Sequence, residues 1–336
     1  MSTGKYYLPA TLLATILVSG CVKSSSSTDE SDGNWIRRSE FEGVARSEAV
    51  SFVISDLAYV GTGYDGDERL QDFWSYDADQ NFWVQKAQFP GTARSSAVGF
   101  AVNDSGYIAT GYDGSVDLKD CWRYDPSTNE WQQKTDFAGT ARYDAVAAGI
   151  SSKGYISCGF DGNYLKDFWE YDPVADTWTQ KVSMGGNKRS AAVCFVHDNK
   201  LYICLGNNNG TNVNDFWEYD PSTEAWTEKR KLTSVSDESY DDDYSDIIRS
   251  NAAAFVMNDK AYITTGTTGS LINKTWEYDF SSDTWARKTA FEGSARTGAA
   301  GFSVNERGYI ATGNSGSSYF DDILEFYPDE DYNEND

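Results

Sequence analysis

The sequence contains little of what metal centres and hydrolytic triads are made from. Among 336 residues it has one histidine, His197, and five cysteines. Zinc sites and Ser-His-Asp triads require His, Cys or acidic residues in characteristic arrangements, and none can be assembled here. We therefore expect neither a metal ion nor a cofactor.

Basic residues are also scarce. The chain has 28 Lys and Arg against 52 Asp and Glu, which gives a formal net charge of −24. Such a charge repels nucleic acid and anionic lipid surfaces, so neither is expected as a partner. Acidic residues concentrate at 329–336, predicted to be a disordered tail, and at 237–246. The second cluster lacks the glycine of a calcium loop, which favours a flexible acidic lid over a calcium site.

The cysteines outside the N-terminal segment do not form a disulfide framework. Cys194 and Cys204 lie on one predicted hairpin, but a turn at 198–199 places Cys194 opposite Ile203 and directs the two thiols to opposite faces. We expect all four of these cysteines, Cys121 and Cys158 included, to be small buried hydrophobic residues.

No segment keeps the 3.6-residue period of an amphipathic helix, and a much longer period takes its place. The segment DFWEYDPVADTW at 167–178 recurs in similar form from Asp72, Asp120 and Asp215, and in degenerate form from Lys274. The final tryptophans of the copies are separated by 48, 48, 47, 48 and 59 residues, which indicates a sixfold repeat with one insertion. These tryptophans are Trp35, Trp83, Trp131, Trp178, Trp226 and Trp285.

Each repeat contains four short strands separated by turn-forming residues. In the second copy we predict strands at 94–102, 107–111, 120–125 and 131–134. A unit of this size cannot bury its apolar face alone, and four antiparallel strands without a helix favour a propeller blade. We predict an all-β fold: a six-bladed β-propeller over residues 33–328, with four antiparallel strands in each blade.

The two ends of the predicted propeller are complementary. Segment 35–38 matches the fourth strand of a blade, and segment 323–327 matches a third strand. The N-terminal strand is therefore expected to complete the last blade and close the ring without a covalent link. Most of the eleven tryptophans are expected in the core, wedged between neighbouring sheets.

These residues resemble the kelch repeats: an Arg that opens the first strand, a Tyr-led second strand that ends in Gly, a W-x-Y-D-P third strand and a Trp soon after. Kelch repeats usually end the second strand with two glycines, whereas Thr62-Gly63 and its equivalents occupy the doublet here, which points to a divergent branch. Galactose oxidase also has a kelch propeller, but its copper site needs more than one histidine, so that activity is excluded.

The N-terminal residues are typical of an export signal. A short apolar run behind Lys5 falls below the length of a membrane span. Small residues before Cys21 resemble a bacterial lipobox, which implies a signal peptide at 1–20, lipidation of Cys21 and a Ser-rich acidic tether at 21–32. Val22 resembles outer-membrane sorting. We expect a protein of the bacterial cell envelope, anchored in the outer membrane by lipid at Cys21; an ordinary signal peptide is the alternative.

One arginine opens the first strand of every repeat, and first strands line the central channel of a propeller. Either each arginine pairs with an acid or with backbone carbonyls and sets the angle between blades, or some of them bind an anion. The blades differ, since Asp144 follows shortly after Arg142, which makes Asp144 a further candidate ligand-binding residue. The arginines are Arg46, Arg94, Arg142, Arg189, Arg249 and Arg296.

Three functions are compatible with this pattern. We expect a binding or scaffold module for a glycan or for an acidic peptide or protein, held at the arginine-lined end of the channel. The first alternative is a sugar-active enzyme resembling N-acetylneuraminate epimerase, with a carboxylate such as Asp144 or Glu48 beside an arginine. The second is a structural envelope protein without a small ligand.

Overall fold

The computed structural model of the chain describes residues 1–2, 4, 32–233, 244 and 246–335. Cys21, residues 21–31 of the predicted tether and most of the insertion at 236–246 lie outside these residues. Over the described part, the regular elements are all β-strands, and no helix there is long and apolar enough to cross a membrane.

Six four-stranded antiparallel sheets make up most of the structure, and each is one blade. β1 (Asp32–Arg37) belongs to the sixth blade. Blade one contains β2 (Val50–Ile54), β3 (Leu57–Gly61), β4 (Phe73–Asp77) and β5 (Phe82–Gln85). Blade two contains β6 (Val98–Val102), β7 (Ser105–Ala109), β8 (Cys121–Asp125) and β9 (Glu130–Lys134). Blade three contains β10 (Tyr143–Ile150), β11 (Lys153–Phe160), β12 (Phe168–Asp172) and β13 (Thr177–Lys181).

The remaining blades follow the same plan, with two short ribbons in their loops. Blade four contains β14 (Val193–His197), β15 (Lys200–Cys204), the ribbon β16 (Asn207–Asn208) with β17 (Thr211–Asn212), β18 (Phe216–Asp220) and β19 (Ala225–Glu228). Blade five contains β20 (Ala253–Met257), β21 (Lys260–Thr264), β22 (Thr275–Asp279) and β23 (Thr284–Lys288). Blade six contains β24 (Ala300–Val304), β25 (Arg307–Ala311), the ribbon β26 (Asn314–Ser315) with β27 (Ser318–Tyr319), and β28 (Ile323–Asp331).

The blades close into a ring whose axis is lined by their first strands. Successive first strands contact each other, and β24 of the last blade contacts β2 of the first. The prediction of a six-bladed propeller is therefore confirmed.

The N-terminal strand completes the last blade as predicted. β1 pairs antiparallel with β28, with Trp35 opposite Phe326. Trp35 is 1% exposed, its ring centroid lies 4.6 Å from that of Phe326 and 5.0 Å from that of Phe291, and its Nε1 donates to the Thr289 carbonyl at 3.3 Å. The closure therefore joins blade six to blade five through a buried aromatic cluster.

The last strand is longer than expected. β28 continues to Asp331, three residues into the segment 329–336 that the sequence predicted to be a disordered tail. The physical reason is that β1 begins at Asp32, which pairs with Asp331 beyond a bulge and gives the end of β28 a partner.

A ring of backbone hydrogen bonds joins each blade to the next. The Gly63 N–H donates to the Arg94 carbonyl at 2.8 Å, and the pattern continues to Gly313, which donates to Arg46 at 2.7 Å. These glycines have φ between 92° and 106°, where a side chain is rarely tolerated. The residue before each also has positive φ, such as 58° at Thr62. The divergent doublet thus keeps a left-handed backbone at a position where glycine would be less strained.

The two faces of the ring carry different loops. First strands begin and second strands end on one face, which we call the mouth face. The hairpin turns between first and second strands lie on the opposite face. The turns between third and fourth strands lie there too, because Asn305 Nδ2 in a turn between first and second strands is 3.5 Å from Asp79 Oδ2 in a turn between third and fourth strands. Asp32 starts the fourth strand of blade six and therefore lies at the level of the turns between third and fourth strands. The chain thus enters the propeller opposite the mouth face.

The cysteines follow the expectation from the sequence more closely than the tryptophans, of which fewer than half are buried. Cys194 lies opposite Ile203, and the four described cysteines are free. Cys194 is half-buried rather than buried, because it lies at the contact with blade three, where its thiol donates to the Ala147 carbonyl at 3.3 Å. Only four tryptophans are fully buried; the others are half-buried at contacts between blades. The buried four are Trp35, Trp83, Trp276 and Trp285.

Replacing Trp35 by alanine should weaken the closure of the ring. Because the indole is fully packed, Trp35→Ala is expected to lower the free energy of unfolding by about 3–5 kcal/mol in a denaturant titration. The control is Phe82→Ala, at a strand residue that is 41% exposed, where the change should stay within about 0.5 kcal/mol. Equal effects for the two variants would contradict closure through β1.

Candidate functional site

The six repeat arginines lie at the mouth-face ends of the first strands, yet all are 0% exposed. In five blades the guanidinium pairs with the aspartate that directly precedes the third strand of the same blade. Arg94, for example, donates from Nη1 to Asp120 Oδ1 at 2.6 Å and from Nη2 to Oδ2 at 2.8 Å. The pairs are Arg46–Asp72, Arg94–Asp120, Arg142–Asp167, Arg189–Asp215 and Arg296–Asp322.

The rest of each arginine is occupied as well. Arg94 Nη1 also donates to the Thr110 carbonyl at 2.8 Å, and its guanidinium carbon lies 4.9 Å from the centroid of the Phe89 ring. Burial opposes ionisation of Asp120, but the hydrogen bonds and charge of Arg94 outweigh it and hold the pKa of that carboxyl below its usual value. The structure supports the hypothesis that these arginines set the geometry of the blades, and it leaves no guanidinium surface for an anionic ligand.

Blade five departs from this pattern because Lys274 replaces the aspartate. Arg249 donates instead to the carbonyls of Thr265 at 2.9 Å and Lys274 at 2.8 Å. Burial lowers the pKa of Arg249 to about 10, with the charge of Asp246 opposing the shift. Backbone carbonyls therefore replace the missing carboxylate.

The residues two positions after the arginines form a second closed ring, at the channel itself. The N–H of each donates to the carbonyl of its equivalent in the preceding blade, from Glu48 to Gly298 at 2.7 Å and from Asp144 to Ser96 at 3.1 Å. All six have φ between 51° and 62°. The ring consists of Glu48, Ser96, Asp144, Ala191, Asn251 and Gly298.

This ring surrounds a cavity of about 160 Å³ at the mouth of the channel. The next residue of every blade is alanine, so that a small apolar collar lies directly below the ring. The collar consists of Ala49, Ala97, Ala145, Ala192, Ala252 and Ala299. Polar side chains therefore enter the cavity from the ring alone, and only blades one, two, three and five supply them.

Side chains at the mouth differ between blades, whereas the buried arginine does not. One position after the arginine, blade three has Tyr143 and the first, second, fourth and fifth blades have serine. In the loops after the second strands, Tyr64 has Tyr112, Phe160, Asn207, Thr267 and Asn314 as equivalents, identified by the backbone bridges they form. Positions that vary within an otherwise strict repeat are free of a common structural role, which marks the mouth face as the functional surface.

Six aromatic side chains lie around one half of the mouth, in two contacting groups that Arg69 bridges between Tyr64 and Tyr112, and we call them the aromatic arc. Tyr319 contacts Tyr64 with ring centroids 5.9 Å apart, Tyr112 contacts Tyr143 at 5.5 Å, and Tyr143 contacts Phe160 at 5.7 Å. All members are half-buried, so each presents part of its ring to solvent. The arc consists of Tyr319, Tyr64, Tyr112, Tyr143, Phe160 and Tyr164.

Two carboxylates lie beside the arc and are linked through one serine. Ser96 Oγ donates to Glu48 Oε2 at 3.0 Å, and the same hydroxyl is near enough to Asp144 to favour the ionised form of that carboxyl. Burial raises the pKa of Asp144 to about 7, the charge of Glu48 adds to the shift, and the Ser96 hydroxyl opposes it. Asp144 therefore titrates near neutral pH, as carboxyl groups in functional clefts often do.

Other candidates from the sequence lie elsewhere. His197 ends β14 on the opposite face, where its ring stacks on Phe280 with centroids 3.9 Å apart. Of the insertion, Tyr244 is buried and Asp246 accepts a hydrogen bond from Arg287 at 2.8 Å. Within the described residues no cluster of three or more metal-ligating side chains occurs. The remainder of the predicted acidic lid lies outside the described part.

Comparisons with known proteins agree with this geometry. The Kelch motif matches residues 93–137, 141–185 and 188–233, which are blades two to four. The chain is a kelch-repeat β-propeller, and the other three blades share its strand order. The solved structure entitled "Structure of YjhT" is similar with a TM-score of 0.70 and 16% identity, over 85% of this chain and 96% of that one. That identity shows the fold alone. A search of characterised sequences finds no significant match.

Removing the Asp144 charge should stabilise the protein at high pH. Its pKa is about 7 in the fold against 3.8 ordinarily, so the folded state binds more protons between these values and loses stability as pH rises through 7. Asp144→Asn should raise the free energy of unfolding at pH 8 by roughly 1–3 kcal/mol, allowing for partial solvent screening. The gain should vanish towards pH 4. Asn251 already occupies the equivalent position with φ 52°.

The control for this titration is Asp113→Asn on the same face. Backbone N–H groups of Val116 and Ser115 hold the pKa of Asp113 below its usual value, so its charge does not destabilise the fold and its removal should not stabilise at pH 8. Denaturant titrations at pH 4, 6 and 8 measure both variants. A pH-independent difference between Asp144→Asn and the parent would contradict the raised pKa.

Proposed function

We propose that this protein is a binding module that holds a glycan at the mouth of the propeller, over blades one to three. The observation that carries the proposal is the aromatic arc beside Glu48, Ser96 and Asp144. Half-exposed aromatic rings offer flat apolar surfaces for sugar faces, and the neighbouring carboxylates offer acceptors for sugar hydroxyls. Acidic peptides, the other ligand considered from sequence, fit less well because the cavity contributes carboxylates and no accessible arginine.

The binding face can be tested with a substitution that the repeat already contains. Tyr143→Ser installs the residue found at Ser47, Ser95 and Ser190, so the backbone should be undisturbed. We expect the parent to bind glycans on an array, and the affinity for the best of them, measured by calorimetry, to fall about tenfold in Tyr143→Ser through loss of one stacking ring.

The matched control is Phe280→Ala, which removes an aromatic ring from the opposite face and installs the residue of the equivalent Ala78. Its affinity should equal that of the parent. Two results would contradict the proposal: no glycan retained by the parent, or equal binding by Tyr143→Ser.

A second candidate function, catalysis on a sugar, is favoured by one observation. Asp144 titrates near neutral pH beside Glu48, which suits general acid/base work. The arrangement considered from sequence also required an arginine beside the carboxylate, and the repeat arginines are buried behind aspartates. Proton NMR of the α-anomer of N-acetylneuraminic acid distinguishes the two functions, because an enzyme accelerates anomerisation and loses that rate in Asp144→Asn, whereas a binding module or a purely structural protein does not.

We further propose that lipid at Cys21 anchors the propeller in the outer membrane with its mouth facing away from the membrane. Asp32 enters the ring opposite the mouth face, and Cys21 precedes it by eleven residues, which span at most about 35–40 Å when extended. The membrane therefore lies on the side of the hairpin turns.

Cys21→Ser should abolish both incorporation of labelled palmitate and recovery in the membrane fraction of a bacterial host. Cys194→Ser serves as the control and should keep both, because that thiol lies within a blade. Membrane recovery of Cys21→Ser equal to that of the parent would contradict the anchor.

A further inference from the structure

On the mouth face, Arg69 lies between two tyrosine rings. The guanidinium carbon of Arg69 lies 5.0 Å from the centroid of Tyr64 and 4.8 Å from that of Tyr112, so the group is sandwiched between two members of the arc. Its Nε is buried and has no hydrogen-bond partner among the described residues. The rings, rather than a bound carboxylate, hold this charge. The arc therefore contains a pair of rings whose spacing and faces suit a planar or tetrahedral organic cation.

A second group of aromatic rings lies where the arc reaches blade three, and no arginine of the described part of the chain is stacked between them. We call this part of the arc the third-blade corner. Tyr143 contacts Tyr112 and Phe160, and Phe160 contacts Tyr164 at 5.1 Å. Where blade one has Arg69, blade two has Asp117 at the equivalent bridge. Asp144 and Asp117 both act electrostatically on the Tyr143 hydroxyl. Aromatic rings and the carboxylates of Asp144 and Asp117 thus lie around Tyr143 at this corner.

Asp117 and Asp144 at this corner are each repelled by neighbouring carboxylates. Burial raises the pKa of Asp117, and the charges of Asp161 and Asp113 add to the shift. The charge of Glu48 likewise raises the pKa of Asp144. Each carboxylate is therefore destabilised by its neighbours, and a positively charged guest would relieve that repulsion. The described residues offer no cluster for a metal ion, so an organic cation fits better than an inorganic one.

We propose that the glycan bound at the mouth carries a positively charged amino group, held at the third-blade corner between the aromatic rings of Tyr112, Tyr143 and Phe160 and the carboxylates of Asp144 and Asp117. This proposal rests on the proposed glycan-binding function and specifies the charge of the sugar. An amino sugar without its acetyl group is the chemical class it names.

Two probes of equal length separate charge from shape. The cationic probe is a hexamer of β-1,4-linked glucosamine with N,N,N-trimethylated amines, whose charge does not change with pH. The neutral probe is the N-acetylated hexamer. Calorimetry at pH 8, where Asp144 is ionised, should show the cationic hexamer binding at least about tenfold more tightly, as expected for cation–π and carboxylate contacts in a partly desolvated site.

The site variant and its control are both taken from the repeat. Asp144→Asn with Asp117→Asn installs the residues of the equivalent Asn251 and Asn212, and should remove the preference for the cationic hexamer. The control removes the same two charges from hairpin turns on the opposite face, with Asp56→Asn and Asp104→Asn, and should keep that preference. The control is needed because a chain of net charge −24 attracts polycations at many places.

The outcomes are distinguishable. A preference lost only in the site variant supports the proposal. Equal or tighter binding of the neutral hexamer, or a preference lost equally in both double variants, overturns the cationic ligand. Binding of other, uncharged glycans with loss in Tyr143→Ser would then leave the proposed function intact. If no glycan of either kind binds the parent, the proposed function fails together with this inference.

Discussion

The structure depends on the buried ion pair between the arginine that opens each blade and the aspartate of the same blade. The arginine side chain joins the first strand to the third, while its backbone carbonyl accepts a hydrogen bond from the glycine of the preceding blade. One residue thereby holds a blade together and fixes it to its neighbour. A buried pair of this kind adds little net stability compared with apolar packing, but losing one partner leaves an unpaired buried charge at a cost of about 3–5 kcal/mol. The ion pair therefore mainly fixes the relative position of the first and third strands, because any arrangement that separates the two charges is destabilised.

Blade five shows which part of that arrangement is essential. Lys274 replaces the aspartate, yet Arg249 remains fully buried and keeps its hydrogen bond to the carbonyl at the end of the second strand. The backbone contacts therefore suffice to place the arginine, and the carboxylate neutralises it. The insertion of the fifth repeat lies beside the same blade, where Asp246 contacts both Lys274 and Arg287. The replacement of the aspartate by Lys274 in this blade therefore leaves the positions of the six arginines unchanged.

Because backbone hydrogen bonds hold the ring together, the side chains at the mouth are not needed to stabilise it. Two closed circles of backbone hydrogen bonds determine the positions at the channel, and the side chains there differ in every blade. The left-handed conformation shared by Glu48, Asp144 and their equivalents directs these side chains around the axis in the same way. Asp144 lies in this ring although its ionised form destabilises the fold. The asymmetry of the mouth, with acidic groups on blades one to three and aromatic groups on those blades and blade six, is thus compatible with an almost symmetric scaffold.

The sequence by itself determined the architecture, because the period of the tryptophans and the complementary ends leave one way to bury the apolar faces. It also contained the partners of five of the six arginines, since an aspartate directly precedes the third strand in five repeats. What it could not decide was the direction in which the arginines point, since Arg94 and Asp120 are 26 residues apart and meet only when first and third strands share a sheet. The aromatic arc was missed for a related reason. Tyr64, Tyr112 and Phe160 occupy one position of the repeat, 48 residues apart, but Tyr143, Tyr164 and Tyr319 occupy two other positions, and only the curvature of the ring brings all six to one side of the mouth.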